Sequence, residues 1–233
     1  MQSGVIIDRS GLPSVLLRSY ERYLDGYERR PSWEKLTEGA LWRELCFCIL
    51  SSNVPYEMAS SAVLQLSFKG LLDSEALRNT GEIAIARELK RPIYLPERID
   101  RSYRVYRFAR RRAFDIVGAW RFVYSENSGL SPMLGEGYSF TDLRAILVAG
   151  VPGVGFKEAS HFLRNVKYTD SIAVLDSHVL SFMNSFVSPV STISSLTPRR
   201  YVQLESLLVQ FAHRMGLCPA ILDMAIWEYM RRN

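Results

Sequence analysis

Apolar residues recur three and four positions apart along most of this chain, which is the spacing that lines one face of an α-helix. The alternating pattern of a β-strand occurs only over Ile6–Ile7 and Ser171–Leu175, segments too short to form a sheet. The segment from Glu126 to Tyr138, with Gly129, Pro132, Gly135 and Gly137, has the composition of a loop. We therefore expect an all-α fold. The predicted helices span Pro13–Leu24, Thr37–Leu50, Tyr56–Phe68, Asp73–Leu77, Ile99–Tyr124, Phe140–Ala149, Gly155–Asn165, Asp176–Met183, Pro198–Met215 and Pro219–Arg231.

The composition excludes several classes of protein. A chain of 233 residues with 48% hydrophobic and 23% charged residues is long enough to bury a core without disulfide or metal support. Its three cysteines, Cys46, Cys48 and Cys218, cannot form a disulfide framework or a four-cysteine zinc or iron–sulfur site. The longest apolar run, Leu45–Leu50, is too short to span a bilayer, and no secretory signal is visible. An intracellular protein without a membrane segment is expected.

The positive charge suits a polyanionic partner. The net charge is +5, and of the 29 basic residues all but Lys35, Lys69, Lys90, Lys157 and Lys167 are arginines, the side chain that binds phosphate with a bidentate fork. Arginines at 98, 101, 104, 107 and 110–112 would wrap one side of a helix. That surface either tracks a phosphate backbone or is simply solvated. Arg110 falls within the apolar register, so we expect it to extend to solvent or to meet a carboxylate.

A glycine-rich turn joins two apolar helices. Leu143–Gly150 is followed by Val151-Pro152-Gly153-Val154-Gly155, and a new helix starts at Phe156. Gly150 is predicted to cap the first helix, while Gly153 and Gly155 permit a tight turn with positive φ. Such a turn is expected to leave backbone N–H groups unpaired at a helix N-terminus, where a phosphate can bind. The pattern resembles the helix–hairpin–helix DNA-binding element; a plain turn between helices is the alternative.

Two titratable residues follow the turn. Lys157 lies in the first turn of the second helix, where the helix dipole disfavours a cation and so favours an uncharged, nucleophilic amine. Asp176 precedes an apolar helical run, where it is expected to act as an ionised N-cap. Each residue alone also has a structural interpretation, as a solvated lysine and a helix cap.

Together these features resemble the helix–hairpin–helix superfamily of DNA glycosylases, and within it the archaeal-type 8-oxoguanine DNA glycosylase/AP lyase family. The matching segments are Trp42–Asn53, Gly153–Val166 continuing to Asp176 and His178, and Leu222–Trp227. The resemblance implies a bifunctional enzyme of base excision repair that excises an oxidised purine through a Schiff base on Lys157, assisted by Asp176.

The resemblance also implies the remaining site residues and partners. DNA contacts are expected from Gly153, Val154, Gly155, His178 and Asn53, and the base pocket is expected to include Trp227 and Asp223. The alternatives are structural: a helix cap for His178 and Asn53, and a core aromatic for Trp227. No cofactor and no metal are expected. The expected partner is double-stranded DNA with a damaged base, bound by a monomer located with the DNA in the cell.

The expected architecture has two helical lobes with a cleft between them. One lobe would span 36–166 and end with the helix–hairpin–helix; the other would combine 1–35 with 167–233. Lys157 would then lie on one wall of the cleft and Asp176 on the other.

The substrate is less constrained than the chemistry. Members of the resembled family typically end with a tail closing on a lysine that helps enclose the base, whereas this sequence ends with Met230-Arg231-Arg232-Asn233. The alternatives are therefore a glycosylase for another damaged or mismatched base, a non-catalytic DNA-binding protein with this motif, and an all-α protein–protein adaptor.

Overall fold

The computed structural model describes residues 11–78, 81–95, 103–187 and 196–232. Over these ranges the chain is mainly helical, which confirms the all-α prediction. The elements are α1 (Ser14–Arg29), α2 (Glu38–Leu50), α3 (Tyr56–Phe68), α4 (Ser74–Leu77), α5 (Glu82–Leu89), β1 (Pro92–Tyr94), β2 (Tyr103–Val105), α6 (Ala109–Trp120), α7 (Leu130–Gly135), α8 (Phe140–Gly150), α9 (Phe156–Asn165), α10 (Ser177–Phe186), α11 (Pro198–Arg214) and α12 (Pro219–Arg232). A short 3₁₀ turn, Trp33–Lys35, precedes α2, and a π-helical segment, Arg121–Glu126, extends α6.

The chain forms two compact units. The central unit runs from Ser32 to Val166 and contains α2–α9 with the two strands. The terminal unit combines the described residues up to Pro31 with those from Lys167 onward, and so contains α1 and α10–α12.

Helix α2 lies at the centre of the central unit, where α3, α6, α7 and α9 pack around it. Thr37 caps its start by accepting a hydrogen bond from the Ala40 N–H. Trp42 is almost fully buried and its indole N–H donates to the Leu72 carbonyl over 2.9 Å. Cys46 and Cys48 are both inaccessible to solvent, so this helix is buried on more than one side. The strongly apolar second half of α2 explains this position.

Helix α12 has the same central position in the terminal unit, in contact with α1, α10 and α11. The C-terminal end of α1 is held by Lys167, whose Nζ donates to the carbonyls of Tyr27 and Arg30 over 3.0 and 3.1 Å. Since a cation is favourable at a helix C-terminus, this contact stabilises the end of α1.

The predicted helix Ile99–Tyr124 is wrong in its first part. Residues 96–102, including Ile99, Arg98 and Arg101, lie outside the described ranges, and Tyr103–Val105 forms β2, antiparallel to β1. Tyr94 and Tyr103 face each other across this pair with ring centroids 5.3 Å apart. The helix begins only at Ala109. The apolar spacing of Ile99, Tyr103 and Tyr106 favoured a helix, whereas antiparallel pairing with Pro92–Tyr94 determined the structure of Tyr103–Val105. Ser171–Leu175 forms no strand, and Ile6–Ile7 lies outside the described ranges.

The predicted loop Glu126–Tyr138 contains α7, and the prediction also missed α5. Helix α7 starts after Gly129, whose φ is +123°. Its first backbone N–H groups, of Leu130 and Ser131, each donate over 2.8 Å to the carboxylate of Glu38 in α2. A distant carboxylate therefore caps this helix. Across the described ranges, every helix is too short or too polar to cross a bilayer.

Glu38 should make the stability of the central unit depend on pH. Partial burial acts to raise the pKa of Glu38, but the N–H groups of Leu130 and Ser131 outweigh it and lower the pKa below its ordinary value of 4.5. A group with a lowered pKa stabilises the fold above that ordinary value and loses its contribution as the pH falls through its folded-state pKa. We expect Glu38→Gln to lower the free energy of unfolding by about 1–2 kcal/mol at pH 7.

Urea denaturation of the wild type and Glu38→Gln at a series of pH values measures this effect. The difference should be constant well above pH 4.5 and shrink as the pH falls below that ordinary value and then through the lowered folded-state pKa, where the wild-type carboxyl also becomes neutral. Glu136→Gln, at an exposed position, is the matched control. A Glu38→Gln deficit that is the same at low and neutral pH would contradict the assignment.

Candidate active site

The glycine-rich hairpin between α8 and α9 sits directly on α6 and its π-helical extension. A Cβ atom added to Gly150 would lie 2.0–2.5 Å from ring atoms of Phe122. One added to Gly118, in α6, would lie 2.7 Å from Pro152 Cγ. One added to Gly153 would lie 2.5–2.9 Å from the side chain of Asp115. Asp115, Gly118 and Phe122 are spaced along one helix face, so the hairpin backbone is in close contact with that face at three points.

Of the three predicted roles of the hairpin glycines, that of Gly153 is confirmed and those of Gly150 and Gly155 are wrong. Gly153 has the expected positive φ of +78°. Gly155 does not, because its φ of −100° and ψ of −171° are extended values that any residue adopts. Gly150 is the last residue of α8 and Val151 is the C-cap, so the predicted capping role of Gly150 is wrong. What requires glycine at 150 is the ring of Phe122 against the backbone.

A buried ion pair lies under the hairpin. Asp115 is inaccessible to solvent, and its Oδ2 is 2.8 Å from Arg112 Nη1 while its Oδ1 is 3.0 Å from Arg111 Nε. Arg112 also donates to the Ser52 carbonyl over 3.3 Å. Arg110 is exposed, as the first of its two predicted alternatives required, and the arginines that meet the buried carboxylate are Arg111 and Arg112. Arg112 thus links Asp115, which lies under the hairpin, to the turn that contains Asn53.

The backbone amides of the hairpin are partly used within the protein. The Val154 N–H donates to the Val151 carbonyl over 3.2 Å, and the Gly155 N–H donates to Glu158 Oε2 over 3.2 Å. The expectation of unpaired N–H groups is therefore wrong for these two residues. The Val154 side chain is buried, so only its backbone can face a ligand. The anion position at the start of α9 is occupied by the protein's own carboxylate.

Lys157 is the second residue of α9, in the first turn as predicted. About 31% of its side chain is exposed, and its Nζ lies 3.3 Å from Oε1 of Glu158. The imidazole of His161, one turn further on, is half-buried, and its ring centroid lies 5.5 Å from that of Phe47. Burial lowers the pKa of His161 well below its ordinary value, and the charges of Arg164 and Lys157 lower it further. His161 is therefore neutral at physiological pH.

Asp176 is the N-cap of α10, as predicted, and its Oδ1 accepts a hydrogen bond from the Val179 N–H over 2.9 Å. The segment before it is held by buried polar side chains. Tyr201 accepts from the Leu175 N–H and donates to the Ala173 carbonyl, over 3.1 and 3.2 Å. Asp223 is inaccessible to solvent and accepts from the Val174 N–H. Tyr201 was missed because no local pattern links it to residues 173–175.

The other predicted site residues are placed as follows. Asn53 is exposed, three residues beyond the end of α2, with a φ of 60°. His178 is half-buried in the first turn of α10. Trp227 is half-buried, and the Arg231 guanidinium lies 5.0 Å from its ring centroid. The DNA contacts of Asn53 and His178 and the base contacts of Trp227 and Asp223 stay predictions.

The described part of the chain contains no cluster of three or more His, Cys, Asp or Glu side chains that could hold a metal ion. Burial raises the pKa values of the Cys46 and Cys48 thiols well above their ordinary value, so both remain protonated at neutral pH. They are core residues.

The close packing of the hairpin predicts a specific cost of substitution. Gly150→Ala places a methyl group into the Phe122 ring, and we expect it to lower the free energy of unfolding by about 1–3 kcal/mol. Gly26→Ala, inside α1 with nothing within 4 Å of the added Cβ, should raise it by about 0.5–1 kcal/mol. Chemical denaturation of both variants tests this contrast. Equal stability of Gly150→Ala and the wild type would contradict the packing described here.

Comparison with known proteins identifies the family. The family model described as 8-oxoguanine DNA glycosylase matches residues 22–217. A protein named 8-oxoguanine DNA glycosylase/AP lyase from Methanocaldococcus jannaschii is 31% identical over 192 residues, covering 82% of this chain and 79% of that protein. One of the same name from Picrophilus torridus is 30% identical over 223 residues, covering 95% and 91%.

Solved structures show the same fold. The crystal structure of the Methanocaldococcus jannaschii 8-oxoguanine DNA glycosylase has a TM-score of 0.72 at 24% identity, covering 94% of each chain. The structure of the glycosylase/lyase from that organism in complex with a 15mer DNA containing 8-oxoguanine has a TM-score of 0.69 at 23% identity, covering 94% of this chain and 90% of that one. With a family match over most of its length and relatives above the 30% level, this chain belongs to the 8-oxoguanine DNA glycosylase family.

Proposed function

We propose that this protein is a bifunctional DNA glycosylase/AP lyase that excises 8-oxoguanine from double-stranded DNA in base excision repair. The observation that carries the proposal is a half-exposed lysine, Lys157, in the first turn of the helix that leaves the hairpin, within a chain of this family. The relatives named 8-oxoguanine DNA glycosylase/AP lyase support both activities. The site residues below are part of the proposal.

The DNA is held through its phosphates. Guanidinium groups bind phosphates in a bidentate manner and position the duplex without reading its sequence. The exposed arginines that precede and begin α6 are suited to this role; they are Arg104, Arg107, Arg110 and Arg111. The hairpin around Gly153 and the first turn of α10 with His178 contribute further phosphate contacts. Asn53, on an exposed turn in the left-handed conformation, fills the gap in the duplex left by the damaged nucleotide.

The chemistry begins once the damaged nucleotide has been rotated out of the duplex, which costs a few kcal/mol. Lys157 Nζ attacks C1′ of the deoxyribose, and the C1′–N9 bond breaks as its electron pair leaves with the base. The Asp176 carboxylate stabilises the positive charge that develops on the sugar. Ring opening then gives a Schiff base between Lys157 and C1′, which allows β-elimination of the 3′ phosphate. Trp227 and Asp223 belong to the part of the site that receives the base.

Borohydride trapping tests the identity of the nucleophile. Because borohydride reduces a Schiff base to a stable amine, wild-type protein should become cross-linked to a duplex containing 8-oxoguanine, and Lys157→Ala should not. Lys69→Ala, at an exposed lysine in the same unit, is the matched control and should cross-link like the wild type. Lys167 is unsuitable as a control because it holds the end of α1.

The outcomes separate the alternatives. Cross-linking only to duplexes with other lesions would change the substrate. Binding without cross-linking on every lesion would favour a non-catalytic DNA-binding protein, and cross-linking by Lys157→Ala would overturn the proposed nucleophile.

Asp176→Asn separates catalysis from helix capping. Asparagine is as good an N-cap as aspartate, so the bond to the Val179 N–H and the stability of α10 should be retained. The charge that stabilises the sugar cation is lost, and we expect single-turnover excision to slow by about 10²–10³-fold. Thermal stability and DNA affinity should change little. If the affinity fell as strongly as the rate, Asp176 would have a structural role instead.

A further inference from the structure

The carboxylate of Glu158 touches two parts of the site at once. Its Oε2 accepts a hydrogen bond from the Gly155 N–H of the hairpin, over 3.2 Å. Its Oε1 lies 3.3 Å from Nζ of Lys157, and only 10% of the Glu158 side chain is exposed. One carboxylate thus contacts both the hairpin backbone and the amine of Lys157, which is the nucleophile in the proposed function.

This contact does not arise from helix periodicity, since adjacent residues on a helix do not face each other. Glu158 is the third residue of α9, and Gly155 is its N-cap. A glutamate at this position can bend back towards the N-cap amide, as in a capping box. Bending back brings its second oxygen to the side chain of Lys157, which would otherwise diverge from it.

We propose that Glu158 is a catalytic proton acceptor that takes a proton from the Lys157 ammonium as its amine attacks the sugar. The inference rests on the proposed function, because it concerns how that nucleophile is activated. An ammonium has no lone pair and cannot attack; a carboxylate fixed 3.3 Å away can remove its proton without a diffusing base.

Proton transfer from Lys157 to Glu158 accompanies the attack on C1′. One N–H bond of the Lys157 ammonium breaks, its proton moves to Glu158 Oε1, and the nitrogen keeps the electron pair. That pair forms the Nζ–C1′ bond while the C1′–N9 bond breaks and its electrons leave on the base, which takes the proton back from Glu158. A second N–H proton of Nζ then passes to O4′ as the C1′–O4′ bond breaks and the Nζ–C1′ double bond of the Schiff base forms. Nothing is oxidised or reduced.

The charged and titratable groups around this pair come from the helices packed on α9. Helix α9 itself contributes Arg164 and the neutral imidazole of His161. Helix α2 contributes Glu44 and the protonated Cys48, whose pKa is influenced by both Lys157 and Glu158. On α8, Arg144 donates to Ser160 over 3.1 Å, and its guanidinium carbon lies 5.3 Å from the Phe156 ring centroid. Within this surrounding, Glu158 Oε1 lies 3.3 Å from Lys157 Nζ.

Glu158→Gln separates proton transfer from capping. Glutamine serves in a capping box like glutamate, so its amide oxygen can still accept from the Gly155 N–H, but the amide cannot take up a proton. We expect single-turnover excision of 8-oxoguanine at pH 7 to fall by about 10²-fold, with the melting temperature and DNA affinity unchanged. Glu136→Gln, at an exposed carboxylate, should behave as the wild type at every pH.

The pH profile provides a readout that a structural role would not change. Without Glu158, the Lys157 ammonium must lose its proton to water, so the rate of Glu158→Gln should climb with pH and approach that of the wild type in alkaline solution. A rate at pH 7 equal to or above the wild-type rate would overturn the inference. A deficit of the same size at all pH values would also overturn it.

Failure of the inference can be distinguished from failure of the proposed function. If the wild type cross-links, Lys157→Ala does not, and Glu158→Gln is fully active, then the nucleophile stands and Glu158 is only a helix cap. If the wild type does not cross-link on any lesion, the proposed function itself fails.

Discussion

The close approach of a glycine-rich hairpin to helix α6 is the constraint on which the central unit depends. Gly150, Gly118 and Gly153 lie where any side chain would collide with Phe122, Pro152 or Asp115. Since α9 begins directly after the hairpin, these contacts also determine where Lys157 lies. The packing of the hairpin backbone against α6 therefore fixes the position of the Lys157 side chain. A rigid support holds a side chain in position more accurately than a mobile loop does.

Charged side chains lie at two places around the hairpin, beneath it and at the start of α9. Under the hairpin, Asp115 is neutralised by Arg112 and Arg111, so the buried carboxylate is paired. At the start of α9, Glu158 occupies the position that a phosphate would take in a simple helix N-terminal site. A negative group therefore already lies beside Lys157 in the free protein. This arrangement favours a role of the hairpin in supporting the Lys157 amine.

Local signals predicted much of this structure, and contacts between separate segments account for the errors. The bounds of α3, the start of α2 near Thr37 and the Asp176 cap of α10 follow from apolar spacing and capping chemistry near each helix. Helix α7 was taken for a loop because its capping residue, Glu38, lies 92 positions before Leu130. Strand β2 was predicted as helix because the apolar spacing of Tyr103 and Tyr106 fits a helix, and no alternating pattern indicated its pairing with β1. Gly150 was predicted to cap α8 because no sequence pattern shows that the Phe122 ring packs against its backbone. Lys157 and Asp176 were predicted as catalytic residues from motif and resemblance, whereas the proposal for Glu158 came only from its contacts.

The central claim is that Lys157 Nζ forms a covalent bond with the sugar of the damaged nucleotide. Peptide mapping of the borohydride-reduced cross-link tests it directly, because trypsin does not cleave after an alkylated lysine. After nuclease digestion of the attached strand, we predict that the mass of the reduced, base-free deoxyribose remnant appears on the peptide 145–164, with Lys157 uncleaved inside it and its fragment ions placing the mass on that residue. The mass on any other lysine, or on the N-terminal amine, would contradict the account.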